Sequence, residues 1–337
     1  MEKRTPLWKT NWFRLALGTL VSAFFLYLAL LDVPLGGVAE ALARANYVWV
    51  VIAMGLIVLQ TWLRALRWTL LFYPLNQGLR VRRMWGISLI SQMLNIVSPW
   101  RIGELARIYL AGEIEKRSKA QVLATLGTEK LFDTLMLLVT LLGIPLFMTL
   151  PSGLEKSRDG VVVVSVGLVA AAVVLTFSRG WLISLLRRLR ISWRGQTLDA
   201  HAEAALSSLD VFRRWDIHIE LQALSLVIWS LGVLTNYLIL LALGLQLAPI
   251  APFVLLAFLQ VGGLVPSSPG KLGVFQYLCI LALSLFAVDK SVGLTYGILL
   301  YLVAYGIPMV LGLASLWWQG IHLQALMSRS TRAEGLQ

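Results

Sequence analysis

Long apolar runs with few polar interruptions organise this chain. A helix that crosses a bilayer needs about 20 mostly apolar residues. Six segments meet that requirement, roughly 13–31, 47–63, 131–150, 161–178, 221–243 and 293–317. Two further regions are apolar but interrupted. The first runs from Met84 to Leu110 and is broken by Ser98-Pro99-Trp100-Arg101-Ile102-Gly103. The second runs from Pro252 to Val288 and is broken by Pro266-Ser267-Ser268-Pro269-Gly270-Lys271-Leu272-Gly273. Proline removes a backbone donor and glycine tolerates non-helical angles. Non-helical backbone at membrane depth persists only where protein buries it or water reaches it. The pattern predicts an all-α polytopic membrane protein with six full spans and two re-entrant hairpins, about eight apolar segments in all.

Composition strengthens this reading. Of 337 residues, 58% are hydrophobic and 14% are charged, against about 25% charged in a soluble domain. That excludes disorder and leaves too few charges to cover a soluble surface. The net charge of +12 would suggest nucleic acid in a soluble chain. In an apolar one it indicates basic cytoplasmic loops, and no nucleic-acid partner is expected. The run from Phe13 to Leu31 exceeds a signal-peptide core of roughly 7–15 residues, so a retained first helix is predicted. Cys279 has no cysteine to pair with, and His201, His218 and His322 form no ligand cluster. No metal and no cofactor are expected.

Charge then orients the segments. Residues 64–83 carry Arg64, Arg67, Arg80, Arg82 and Arg83 with no acid, whereas 32–46 carry Asp32, Glu40 and Arg44. The N-terminus and 64–83 are therefore placed inside, and 32–46 outside. The 179–220 loop, with seven Arg, is also placed inside. The first broken region then enters and leaves from the cytoplasm and the second from the opposite side. With both termini inside, 24 of the 29 basic residues lie on the cytoplasmic side. The expected organisation is one transmembrane domain, 1–320, built from inverted halves 13–150 and 161–317. A cytoplasmic amphipathic loop at 179–220 and a cytoplasmic tail at 321–337 complete it. Paired interrupted segments in inverted halves point to a transporter's substrate site. Eight plain spans is the alternative, against which the basic 101–130 stretch argues.

Few residues carry chemistry. Ser88, Ser91, Gln92 and Asn95 share one helical face before the first break; they either bond neighbouring helices or line a wet cavity. Arg101 sits within that break, and Glu104 and Arg107 follow at i, i+3. Arg101 either snorkels to the surface and pairs with Glu104 or, with Arg107, receives an anionic headgroup, because guanidinium forks match phosphate oxygens. Thr125, Glu129, Asp133 and Thr140 share another face. Two carboxylates at i, i+4 repel unless counter-charged, so Glu129 and Asp133 either pair with an arginine such as Arg101 or Arg107 or carry a coupling ion. Lys271 is the one charge between Glu220 and Asp289. It either snorkels outward or faces Arg101 across the midplane. Gln260, Gln276 and Asn236 are expected to be satisfied interhelical partners. No nucleophile elbow, phosphate loop or Asp-x-Asp pair is present, so no catalytic residue is assigned.

These motifs together carry a resemblance. Asn95-(x3)-Pro99-x-Arg101-x-Gly103-Glu104-(x2)-Arg107, then Glu129-Lys130-(x2)-Asp133, then Pro269-Gly270-Lys271-Leu272-Gly273-Val274-Phe275 resemble the lysylphosphatidylglycerol synthase transmembrane region, the flippase-like integral membrane family. Arg64-(x2)-Arg67-Trp68 looks similar too. The resemblance covers nearly the whole chain. It implies motif roles for Asn95, Arg101, Glu104, Arg107, Glu129 and Asp133, with hairpin breaks at Pro99, Gly103, Pro269, Gly270 and Gly273. Two departures stand out. The family commonly has glycine where Lys271 stands and an acid where Gln276 stands, which favours a more anionic substrate. The family's soluble aminoacyl-transfer domain is lacking, so synthesis is not expected.

The expected function is movement of an anionic phospholipid or polyprenyl-phosphate-linked lipid across a bacterial-type inner membrane, with Asn95, Arg101, Glu104, Arg107 and Lys271 at the substrate. The alternatives are a membrane-embedded transferase and a non-catalytic partner of a separate lipid synthase or glycosyltransferase.

Overall fold

The computed structural model describes residues 11–98, 102–147, 214–263 and 269–320. All regular structure among them is helical. The helices are α1 (Asn11–Leu30), α2 (Leu35–Arg44), α3 (Tyr47–Leu70), α4 (Val81–Val97), α5 (Gly103–Ile114), α6 (Lys119–Phe147), α7 (Trp215–Ala242), α8 (Ala251–Gly262), α9 (Val274–Ser284), α10 (Lys290–Tyr301) and α11 (Ile307–Trp318). A short 3-10 turn, Pro269–Lys271, precedes α9, and a π-helical turn, Leu302–Gly306, joins α10 to α11.

Three stretches are long and apolar enough to cross a membrane: Tyr47–Leu70, Asp216–Ala242 and Lys290–Trp318. They coincide with three of the expected spans. Thr19–Leu30 and Leu35–Arg44 qualify together but bend by 80°. Both predicted breaks interrupt helices, between α4 and α5 and between α8 and α9. The expected span 161–178, residues 179–213 of the expected loop, the tail, and Pro99 and Arg101 lie outside the described residues, and residues 215–220, expected in that loop, belong instead to α7.

Three further boundaries differ from the sequence reading, each for a packing reason. Residues 32–46 are not all loop: α2 turns Val38 and Leu42 inward and leaves an Arg44–Glu40 pair at 2.7 Å outside. Helix α3 does not stop at residue 63, because Ala65 and Trp68 continue its buried stripe and are fully buried. Helix α6 begins at Lys119 rather than near 131, because Val122, Thr125, Leu126, Glu129 and Phe132 bury one face at three- and four-residue spacing.

The described residues form two compact units. The first holds 11–59, 89–98, 102–106, 231–263 and 269–320. Here Ala29, Val38, Ile280 and Leu294 form a cluster joined by Val33, Leu42 and Tyr277. Gly293 and Gly297 let α10 approach α9, their Cβ positions lying 3.3 Å from Ile280 Cα and 3.2 Å from Gln276 Cα. The Tyr296 hydroxyl donates to Asn236 Oδ1 at 2.7 Å, satisfying a fully buried phenol. This is the interhelical role expected of Asn236.

The second unit holds 60–88, 107–147 and 214–230. Gln60 donates to the Ile228 carbonyl at 2.8 Å, tying α3 to α7. The Trp68 indole donates to Thr125 Oγ1 at 3.1 Å, tying α3 to α6. Trp68, Leu71, Phe72, Met84 and Phe132 are almost wholly buried in this unit.

Candidate functional site

In the first unit several of the polar residues singled out from the sequence lie at the two breaks. Helix α5 begins against α4. The Gly103 amide donates to Asn95 Oδ1 at 2.9 Å, and a Cβ on Gly103 would collide with the Ser91 carbonyl. Asn95 thus satisfies one of the orphan donors of a helix start, and only glycine fits beside it. Ser91 is buried and Gln92 partly so. Glu104 is partly buried in the first turn of α5, where a carboxylate complements the helix dipole.

The second break is built from left-handed backbone. Gly270, Lys271 and Gly273 have φ of 71°, 56° and 84°. A Cβ on Gly270 would lie 2.6 Å from the Tyr301 hydroxyl, and one on Gly273 2.5 Å from the Ser22 carbonyl. Both glycines are therefore required by angle and by space. Lys271 occupies the same left-handed region without that freedom, at a cost of roughly 1–2 kcal/mol. Its Nζ donates to the Gly263 carbonyl at 3.1 Å. Gln276 turns back on its own helix, its Oε1 accepting from the Gly273 amide at 2.8 Å. It caps α9 instead of bridging helices. Tyr301 and Tyr305 stack at 4.6 Å, with the Phe275 ring edge-on to both.

The second unit contains a ladder of alternating charges. Arg67 Nη2 donates to Asp133 Oδ1 at 2.8 Å and lies 3.7 Å from Glu129 Oε1. Its Nη1 donates to Ser225 Oγ at 3.0 Å. Arg107 Nη2 lies 2.9 Å from Glu129 Oε2, and the Arg107 guanidinium sits 3.8 Å from the centre of the Trp68 ring. Arg64 reaches Asp133 Oδ2 at 3.8 Å. The order is Arg107, Glu129, Arg67, Asp133, Arg64. The Arg67 side chain is fully buried, and Glu129 is 8% exposed. Low surrounding polarity makes such a ladder persist only if its charges are paired.

This arrangement answers the question left by the two carboxylates at i, i+4. Both are counter-charged: Glu129 by Arg107, as expected, and both by Arg67, which the sequence reading placed in a cytoplasmic loop. Two signals pointed to it. Arg64, Arg67 and Trp68 continue the helical face of 47–63 at i, i+3, i+4, and α6 offers no cation on the Glu129–Asp133 face.

Residues 15–312 match the family described as lysylphosphatidylglycerol synthase TM region. The chain is 24% identical over 305 residues to a UPF0104 membrane protein of Methanothermobacter thermautotrophicus, covering 85% of this chain and 89% of that protein. It is 21% identical over 309 residues to a UPF0104 membrane protein of Methanocaldococcus jannaschii, covering 87% and 91%. No solved structure matches the chain. The chain belongs to the lysylphosphatidylglycerol synthase transmembrane family and is an integral membrane protein.

Proposed function

We propose that this member of the family moves an anionic lipid, a phospholipid or a polyprenyl-phosphate-linked one, between the leaflets of a bacterial-type inner membrane. On this reading both termini are cytoplasmic. The two helix–break–helix regions are re-entrant hairpins at matching places in inverted halves, and rocking of those halves alternates access. Lys271 serves the phosphate at the second break, and Asn95, Arg101, Glu104 and Arg107 serve it at or just after the first. The work requires carrying a polar headgroup through an apolar layer, and cations at non-helical breaks supply a stopping point for it.

The observation that carries the reading is Lys271. It is the one charged residue from 221 to 288, it is partly buried, and it is held in a left-handed conformation that glycine adopts at no such cost. A partly buried cation at a helix break supports a site there for a ligand of opposite charge.

Purified protein in liposomes, with fluorescent phosphatidylglycerol and an impermeant quencher, tests this. The wild type should speed leaflet exchange of phosphatidylglycerol over phosphatidylcholine. Lys271→Gly should fold at least as well as Lys271→Ala, because it relieves the backbone angle, yet lose the acceleration. Equal exchange by wild type and Lys271→Gly refutes the site.

A further inference from the structure

The rungs of the charge ladder are not equivalent. Arg67 to Asp133 is both an ion pair and an aligned hydrogen bond at 2.8 Å. Arg107 and Glu129 approach to 2.9 Å, yet Glu129 Oε2 and Arg107 Nε are buried without a hydrogen-bond partner among the described residues. Their charges touch but their lone pair and N–H vectors miss. A guanidinium is strongest as a fork with two parallel N–H···O bonds, and here the fork is unfilled. Trp68 holds its plane from one face, which fixes orientation and leaves the in-plane donors to be used.

Charge counting points the same way. The ladder has three cations, Arg64, Arg67 and Arg107, to two anions, Glu129 and Asp133. The excess rests on the ends, and Arg107 is the more enclosed of the two, 13% exposed against 28% for Arg64. Glu129 also has a second place to go, since its other oxygen stands 3.7 Å from Arg67 Nη2. That gap is beyond hydrogen-bond length and closes with a small movement.

We infer that Arg107 is an exchangeable oxyanion site, in which Glu129 is a resident counter-anion that an incoming phosphate group displaces. On displacement Glu129 closes onto Arg67, so the carboxylate is never stranded, and the phosphate fills the Arg107 fork. Arg67, anchored by Asp133 and Ser225, stays in place through the exchange. This deepens the lipid-transport reading and rests on it for the source of the phosphate. It gives Glu129 the task of keeping Arg107 paired while the site is empty, and it makes binding a competition.

The test is equilibrium titration of the full-length protein in detergent with short-chain phosphatidylglycerol, with inorganic phosphate in a second arm and short-chain phosphatidylcholine in a third. Glu129→Gln removes the competitor at constant size and should tighten phosphatidylglycerol binding by about tenfold or more, within the range of close charge-pair couplings. Glu129→Asp retracts the carboxylate from Arg107 and should tighten it by a smaller factor, a readout that survives if the glutamine variant folds poorly. Arg107→Gln should abolish saturable binding. A merely structural Glu129 would only lower stability. Unchanged or weaker binding by both Glu129 variants overturns the exchange while leaving lipid transport standing. Binding of inorganic phosphate alone with the same Glu129 dependence supports the exchange and assigns the site to free phosphate, which removes support from the lipid reading. Equal binding by wild type and Arg107→Gln overturns it.

Discussion

Replacing Arg67 by methionine separates a structural pivot from its surroundings. The side chain is fully buried, and it serves Asp133 at 2.8 Å, Glu129 at 3.7 Å and Ser225 at 3.0 Å. Breaking a buried ion pair by deleting one partner costs about 3–5 kcal/mol, because the other charge is left in a poor solvent. Here the lower end applies. Asp133 is 22% exposed and keeps Arg64 at 3.8 Å, Glu129 keeps Arg107 at 2.9 Å, and Ser225 still donates to the Leu221 carbonyl at 2.8 Å. A loss of about 3 kcal/mol is expected for Arg67→Met, and a similar loss for Asp133→Leu, which leaves buried Arg67 with Ser225 and the more distant Glu129. The double variant removes both charges and replaces them with apolar volume. It should lose only about 1–2 kcal/mol, well short of the sum, since well-packed apolar replacements of buried ion pairs are often near neutral. Unfolding in detergent, followed by the accessibility of buried Cys279 to a thiol reagent, reads all four proteins. Additive losses in the double variant, or an unchanged Arg67→Met, would refute the claim that this pair is a coupled buried interaction.

Two further outcomes follow from local geometry. Gly103→Ala should destabilise by about 3 kcal/mol, the upper part of the overpacking range, because its Cβ meets the Ser91 carbonyl and lies 2.7 Å from Asn95 Oδ1. Gly127→Ala on α6, whose Cβ would have nothing within 4 Å, is the matched control and should be neutral or gain up to about 1 kcal/mol; thermal midpoints in the same detergent compare the two. Asp289 caps α10, accepting from the Ser291 amide at 2.8 Å, and that bond together with neighbouring backbone amides holds its carboxyl below the ordinary 3.8. A lowered carboxyl contributes stability above its unfolded value and loses it as pH falls through the folded value. Asp289→Ala should therefore cost about 0.5–1 kcal/mol at pH 7, and the gap between the two midpoints should close as the pH is taken below about 3.8.

The parts of this structure legible in the sequence are those set by composition over many residues. An all-helical membrane protein, three of its spans and both helix breaks follow from apolar length and from clustered proline and glycine. Those signals average over neighbours and tolerate error at any one position. The breaks were legible down to single residues, since Gly103, Gly270 and Gly273 each sit where a Cβ meets a carbonyl or a hydroxyl. The ladder was half legible. Two carboxylates on one face of α6 require cations, but nothing local to α6 says which. Arg107 is marked by its place beside a break, whereas Arg67 looks like one more cytoplasmic charge. The positive-inside rule weighs every arginine near a span end alike. It cannot separate an arginine in water from one that the last turns of a helix carry inward, and burial of Arg67 depends on Asp133 and Ser225, 66 and 158 residues away. The stacking of Tyr301 on Tyr305 has no compositional signature, because it depends on how the rings pack in three dimensions. Arg67 is accounted for by the counter-charges it meets within the fold, whereas the sequence marks Lys271 directly, as the one charge in a stretch of 68 residues.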